Sequence, residues 1–194
     1  MSLWINPCCF FFELVKKISS PAHSLTESGY IDEKVNSFVL KALFTTVTNV
    51  NFNESSLQDY LFEAQAVLNQ LKLECKNRQI DYQNTADLPN SLEDLISLAN
   101  ETSIEFRIEQ NGEDITSLQE MLIYGIKGMA AYAHHAEMLG YIDNDVSNYI
   151  YKAMSYIALP IQNSEKLIDL NMECGAHTVT VMALLDKAHT DTYG

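Results

Sequence analysis

Proline and glycine are scarce, with four and seven in 194 residues. A turn-rich β-fold needs more of both at its bends, so the shortage argues against one and favours long helices. Positive charge is short as well: twelve Lys and Arg stand against 26 Asp and Glu, a formal net charge of −14. A chain this acidic repels nucleic-acid phosphates and anionic membranes, and neither is an expected partner. The four cysteines, Cys8, Cys9, Cys75 and Cys174, show no C-x-x-C spacing. Adjacent Cys8 and Cys9 do not pair readily, which argues against a secreted disulfide scaffold and for a reducing cytoplasm. The opening "MSLWINPCCFFFELVKK" lacks a basic segment before its apolar run, Asn6 and Pro7 interrupt it, and Glu13 ends it. It reads as an apolar helix start, not as a signal peptide or a membrane span. Also missing are a Gly-rich phosphate loop, a G-x-S-x-G elbow and a P-loop lysine.

What is present is a repeat. "GYIDEKV" at residues 29–35 returns as "GYIDNDV" at residues 140–146. Sliding the chain by 111 also aligns Lys16 with Lys127, Ala22 with Ala133, His23 with His134, Lys41 with Lys152 and Ala42 with Ala153. Residues 14–46 and 125–157 share ten identities, where chance gives about two. The chain reads as an internal duplication of one helix–turn–helix unit. Gly29 and Gly140 fall where a helix C-terminus wants a left-handed residue. Asp32 and Asp143 supply the next N-cap, since a short carboxylate accepts from orphan N–H groups. Backbone geometry explains the recurring words without any catalytic demand.

Each unit runs on into a third helix. Leu57, Leu61, Ala64, Leu68, Leu71 and Cys75 recur at steps of four and three, one core stripe of an amphipathic helix. In the second half, Ser164 is the expected cap of a helix carrying Leu167, Leu170, Cys174, Val181 and Leu185 inward. The expected fold is all-α: two three-helix bundles, residues 1–77 and 117–194, joined by a polar linker at 78–116. That linker holds a short helix near residues 91–99, and the alternation in "SIEFRI" allows an extended segment. The helix at 118–139 is apolar almost all round and rich in small residues, as expected of the central element of the second bundle. Its twin carries Pro21 where the second copy has Tyr132. A proline inside a helix removes a hydrogen bond and clashes one turn back, so the first helix is expected to kink or to begin near residue 20 with Ser20 as cap.

Five histidines are the candidate ligands or bases: His23, His134, His135, His177 and His189. His134 and Glu137 lie one turn apart, as do Glu173 and His177, and Asp186 and His189. Carboxylate–histidine pairs on facing helices build di-metal sites, but those use Glu-x-x-His motifs, and none of these pairs is one. His134, Glu137, Glu173 and His177 are therefore only weak metal candidates, and helix histidines at a core edge are the plainer reading. Cys75 and Cys174 sit on apolar stripes as buried thiols. The residues alone specify no catalytic site and no cofactor.

"NGEDITSLQEMLIYGIKGMAAYAHHAEMLGYIDNDV" (111–146) and "GYIDEKVNSFVLKALFTTVTNVNF" (29–52) closely resemble the hybrid-cluster (prismane) protein family of hydroxylamine reductases. "VMALLDKAHTDTYG" (181–194) resembles the end of the same region, and the likeness runs from residue 14 to residue 194. The resemblance implies a helical domain of two three-helix bundles, followed by two Rossmann-like domains. It implies reduction of hydroxylamine to ammonia, with nitric oxide also proposed as a substrate, at a hybrid iron–sulfur–oxygen cluster held between the three domains. A four-cysteine motif before the first helix binds a 4Fe-4S or 2Fe-2S cluster in that family. Here "MSLWINPCCFFFELVKK" takes its place without the spacing, so none of those ligands carries over. The hybrid-cluster ligands belong to the two later domains, and no position here matches them.

The expected role is a helical scaffold of a hydroxylamine reductase-like oxidoreductase, not catalytic by itself. Its partners would be the Rossmann-like catalytic domains, with self-association through the exposed docking surface. An independent acidic module recruiting a basic partner is the alternative; it predicts a well-covered monomer. A di-metal oxidoreductase is the third reading, and it requires the four His and Glu side chains to converge.

Overall fold

The computed structural model describes residues 7–30, 32–48, 52–83, 87–105, 115–159 and 162–194. All regular structure among them is α-helical: α1 (Pro7–Glu27), α2 (Glu33–Val47), α3 (Glu54–Arg78), α4 (Leu92–Glu105), α5 (Ile115–Met138), α6 (Asn144–Ile157) and α7 (Ser164–Tyr193). The all-α class expected from the sequence is the class observed.

The turns behave as their chemistry dictates. Gly29 has φ +87° and Gly140 φ +86°, a region that side chains with a Cβ rarely adopt. The Gly29 N–H reaches the Thr26 carbonyl at 3.0 Å and the Tyr30 N–H reaches that of Leu25 at 3.0 Å. In the second turn, Gly140 and Tyr141 bond Glu137 and Ala136 in the same pattern, both at 2.9 Å. Asp32 then accepts from the Lys34 and Val35 N–H groups, and Asp143 from that of Val146. Both caps stand where the sequence placed them.

Pro21 does not break the first helix. α1 begins at Pro7 and runs through Pro21 to Glu27. Ser20 is no cap; it is buried, and its hydroxyl donates to the Gln83 carbonyl at 3.0 Å. The reason is energetic. An interior proline costs about 3 kcal/mol, whereas each fully buried large apolar side chain returns about 1.5–3 kcal/mol. Phe10, Phe11, Leu14, Val15, Ile18 and Leu25 are all essentially inaccessible on this one helix. The apolar start at Phe10–Phe12 is thus part of the core.

Three further differences are local. α4 runs on to Glu105 and packs against α1 through its 92–95–96–99 stripe. Ser103–Glu105 are therefore helical, not extended, and residues 106–108 lie outside the described residues. The cap of α7 is Asn163, whose side chain accepts from the Lys166 N–H, so Ser164 is the first helical residue. Leu185 is half-buried, and Ala188 completes the inner stripe behind Leu167, Leu170, Cys174 and Val181.

Packing interlocks the two halves. α1 lies against α2 and α3 but also extensively against α6, while α2 lies against α5, and α5 lies along α7. An offset of 111 exchanges α1 with α5 and α2 with α6, so the α1–α6 and α2–α5 contacts are counterparts. Polar bonds mark the crossings. His23 of α1 meets Asn148 of α6 at 3.2 Å, and the Tyr151 hydroxyl of α6 donates to the Asn36 amide oxygen of α2. One hydrophobic core runs through both halves.

Candidate functional site

The four His and Glu candidates face different neighbours. His134 packs its ring 5.0 Å from that of Phe44 on α2. Its Nδ1 is buried without a hydrogen-bond partner, and burial, with help from His135 and Lys41, lowers its pKa. Glu137, one turn on, is raised by burial, and its Oε2 likewise has no partner among the described residues. Both side chains point at α2. On α7, Glu173 is held by Lys152 of α6 at 3.1 Å, and the His177 ring lies 4.7 Å from that of Tyr149, also on α6. α5 directs its pair to α2 while α7 directs its pair to α6, so the four do not converge. Among the described residues no group of three or more His, Cys, Asp or Glu side chains could hold a metal ion. The di-metal arrangement does not form.

The described thiols do not gather either. Cys75 is buried on α3 with its Sγ 3.8 Å from the Pro21 carbonyl, and Cys174 is buried on α7. Burial raises the pKa of both thiols, which keeps them protonated and inert. Cys9 is half-buried on α1. An iron–sulfur cluster needs several thiolates converging on iron, and these three positions do not fit one.

The surface offers a different kind of site. Behind its buried stripe, α7 carries a second apolar row: Ile168, Met172, Val179 and Met182 are exposed, and Gly175 completes the alternating steps of four and three. The exposures are large, 71% for Met172 and 69% for Val179, in a helix that already has a satisfied core face. The neighbouring α5 adds Met121, Tyr124, Tyr132 and Met138, with Tyr124 74% exposed. The two helices lie close because Gly125 of α5 has no side chain; a Cβ there would stand 2.8 Å from the Cys174 sulfur.

Gly128 on α5 and Gly175 on α7 have no such reason. A Cβ added at either would meet nothing within 4 Å. A glycine inside a helix costs about 1 kcal/mol relative to alanine, and nothing among the described residues returns it. Rows of exposed large apolar side chains with backbone laid bare between them are the features of a surface that another body approaches closely. The outer surfaces of α5 and α7 thus expose large apolar side chains beside two glycines with open space around them. The sequence carried its signal as the apolar positions of α7 left over after one stripe is assigned to the core.

Known proteins locate this fold. The pattern of the Prismane/CO dehydrogenase family matches residues 10–194. A hydroxylamine reductase of Rhodospirillum rubrum is 35% identical over 191 residues, which cover 94% of this chain and 35% of that protein. A hydroxylamine reductase of Methanocaldococcus jannaschii is 37% identical over 183 residues, covering 93% of this chain and 33% of that protein. A third, from Thermoanaerobacter pseudethanolicus, is 36% identical over 172 residues, 87% of this chain and 31% of that protein. The chain spans about a third of the length of these relatives. Among the described residues no helix is long and apolar enough to cross a membrane.

Proposed function

This chain belongs to the Prismane/CO dehydrogenase family, and from that premise we propose that it is the helical scaffold of a hydroxylamine reductase-like iron–sulfur oxidoreductase. Its outer α5–α7 face seats the Rossmann-like catalytic portion that such a protein carries, and the chemistry is done there. The observation that carries this reading is the exposed apolar row of Ile168, Met172, Val179 and Met182 beside the bare Gly128 and Gly175. A free-standing acidic module would cover such a face, so that alternative is the weaker one. The four weak metal candidates play no part, and the scaffold holds no iron of its own. A reducing cytoplasm suits buried Cys75 and Cys174, which stand as thiols and not as a disulfide.

The test is reconstitution. The Rhodospirillum rubrum hydroxylamine reductase is expressed without the segment that this chain matches, and the two pieces are combined without oxygen. The expected result is a stable one-to-one complex that reduces hydroxylamine with a viologen dye as electron donor. Iron and acid-labile sulfide should be found in the partner piece and be absent from this chain. Stoichiometric iron and sulfide in the isolated chain would overturn the scaffold role, and two pieces that ignore each other would overturn the docking.

A further inference from the structure

The duplication brings two counterpart residues to one place inside the molecule. An offset of 111 exchanges Asn36 of α2 with Ser147 of α6, and both line a narrow cavity between α2, α5, α6 and residues 141–143. We infer that this cavity binds one structural water molecule, which bridges Asn36 of the first half to Ser147 and Asp143 of the second.

Size sets the first limit. The cavity measures about 10 Å³, which is room for a single water. Leu40, Ala133, Val146 and Val181 are among its apolar walls, so a polar occupant depends on the few polar groups that line it.

Three side chains supply those groups. Asn36 and Ser147 are each only 5% exposed. The Asn36 amide oxygen is taken by the Tyr151 hydroxyl, and its Nδ2 has no partner among the described residues. Hydroxyls inside these helices commonly bond back one turn, as Thr26 does to Ala22 and Thr178 to Cys174. The Ser147 hydroxyl makes no bond of any kind among the described residues. Neither polar atom is sealed off as the Ser155 hydroxyl is, so a water reaches both. Asp143 is the third. It caps α6 through one carboxylate oxygen. In its counterpart Asp32 the second oxygen accepts from Tyr30 and Gln70. In Asp143 that oxygen has no such partner among the described residues, because Tyr141 turns its hydroxyl to Asp191.

The set calls for an occupant that both donates and accepts. A water accepts from the Asn36 N–H and donates to the Asp143 carboxylate, with the Ser147 hydroxyl as its third partner. Three bonds are what an internal water ordinarily makes. A metal cation would face the Asn36 N–H group, and an anion would face the Glu137 and Asp143 carboxyls that line the same walls. An apolar occupant would leave all three groups unsatisfied, which is unfavourable. Beside the Tyr151–Asn36 bond, the water gives α2 and α6 a second polar link.

The test is magnetic resonance of the intact 15N-labelled chain. The Asn36 side-chain amide should show cross-peaks to water of opposite sign in NOE and ROE spectra, the mark of a held water and not of a diffusing one. Oxygen-17 relaxation dispersion of the solvent senses the water oxygen itself and is blind to exchanging hydroxyl protons. Its amplitude should fall by the share of about one long-lived water per chain in Ser147→Val, which removes the hydroxyl and puts a methyl group in the cavity. Ser155→Ala, a buried hydroxyl outside this lining, should leave both readings unchanged. Unchanged amide dispersion shows that each variant is folded. Absence of the water cross-peaks at Asn36 in the unmodified chain would overturn the proposal without any variant, as would an oxygen-17 amplitude that Ser147→Val leaves intact. The outcome is independent of the docking face, since no residue of the apolar row lines the cavity.

Discussion

Gly125 of α5 lies under Cys174 of α7 so closely that a Cβ would come within 2.8 Å of the sulfur. This contact holds the pair of helices whose outer surfaces form the apolar row. It also separates two kinds of glycine in one helix. At Gly125 the missing side chain is required by a neighbour in the chain; at Gly128 it is not.

Gly125→Ala should therefore destabilise the protein by about 1–3 kcal/mol, the range for overpacking a filled core. Gly128→Ala should stabilise the isolated chain by up to about 1 kcal/mol through helix propensity. Urea unfolding of the two variants checks the sign. Adding Cys174→Ala to Gly125→Ala should recover part of the loss, because it removes the atom that is struck. Equal effects at the two glycines would mean that the α5–α7 approach is looser than described.

The paired turns make a second prediction. Asp32→Ala and Asp143→Ala each remove an N-cap and should cost about 1 kcal/mol. Gly29→Ala and Gly140→Ala force a Cβ into a left-handed conformation and should cost roughly 1–2 kcal/mol each. Neither glycine has a neighbour within 4 Å of its would-be Cβ, so the loss is conformational rather than steric. Thermal unfolding of all four variants measures it, and a neutral outcome at Gly29 or Gly140 would contradict the turn geometry.

These turns were readable from seven-residue words because caps and left-handed glycines are local chemistry: Asp32 accepts from residues two and three places on. Pro21 was not readable in that way. Whether a helix survives a proline depends on what its other residues bury, and the burial of Phe10, Phe11, Leu14 and Ile18 is decided by distant helices. The pairing of α1 with α6 and α2 with α5 was equally out of reach, since a repeat is consistent with halves that stand apart or interlock. Histidine spacing indicated which groups share a helix face but not which helix that face meets. The apolar row was present in the sequence, yet it differs from a core stripe only once Leu167, Leu170 and Cys174 are seen to be buried.

Glu137 should make stability fall with rising pH. Burial raises its folded pKa above the ordinary 4.5. The folded state thus holds this proton more tightly than the unfolded chain. The associated stabilisation is complete below the unfolded pKa and is lost as pH rises through the raised folded value. Glu137→Gln should then raise stability at neutral pH, with the gain shrinking towards zero below pH 4.5. His134 acts in the opposite direction: its folded pKa is lowered from 6.5, so its contribution is present above that value and fades as pH falls through the folded one. Denaturant unfolding of both proteins across pH 4–8 isolates the Glu137 effect as the difference between the curves. A difference that does not vary with pH would show that Glu137 titrates normally.

The apolar row separates docking from folding most directly. Met172 and Val179 are about seven-tenths exposed, so charging them should change the stability of the isolated chain by no more than about 0.5 kcal/mol. Met172→Glu with Val179→Glu should nonetheless abolish assembly with the truncated Rhodospirillum rubrum reductase, because two carboxylates would have to be buried against apolar surface without partners. The same pair of changes should suppress self-association of the isolated chain, read by sedimentation, if copies meet through this face. Asp169→Lys and Glu165→Lys, on the same helix but outside the row, provide the contrast: together they change the formal charge by +4, against −2 for the double glutamate, and should leave assembly intact. Assembly that survives the double glutamate would move the docking surface elsewhere on the molecule. Assembly lost equally in the lysine variants would make the attraction a matter of charge, and the exposed methionines, valine and bare glycines would need another explanation.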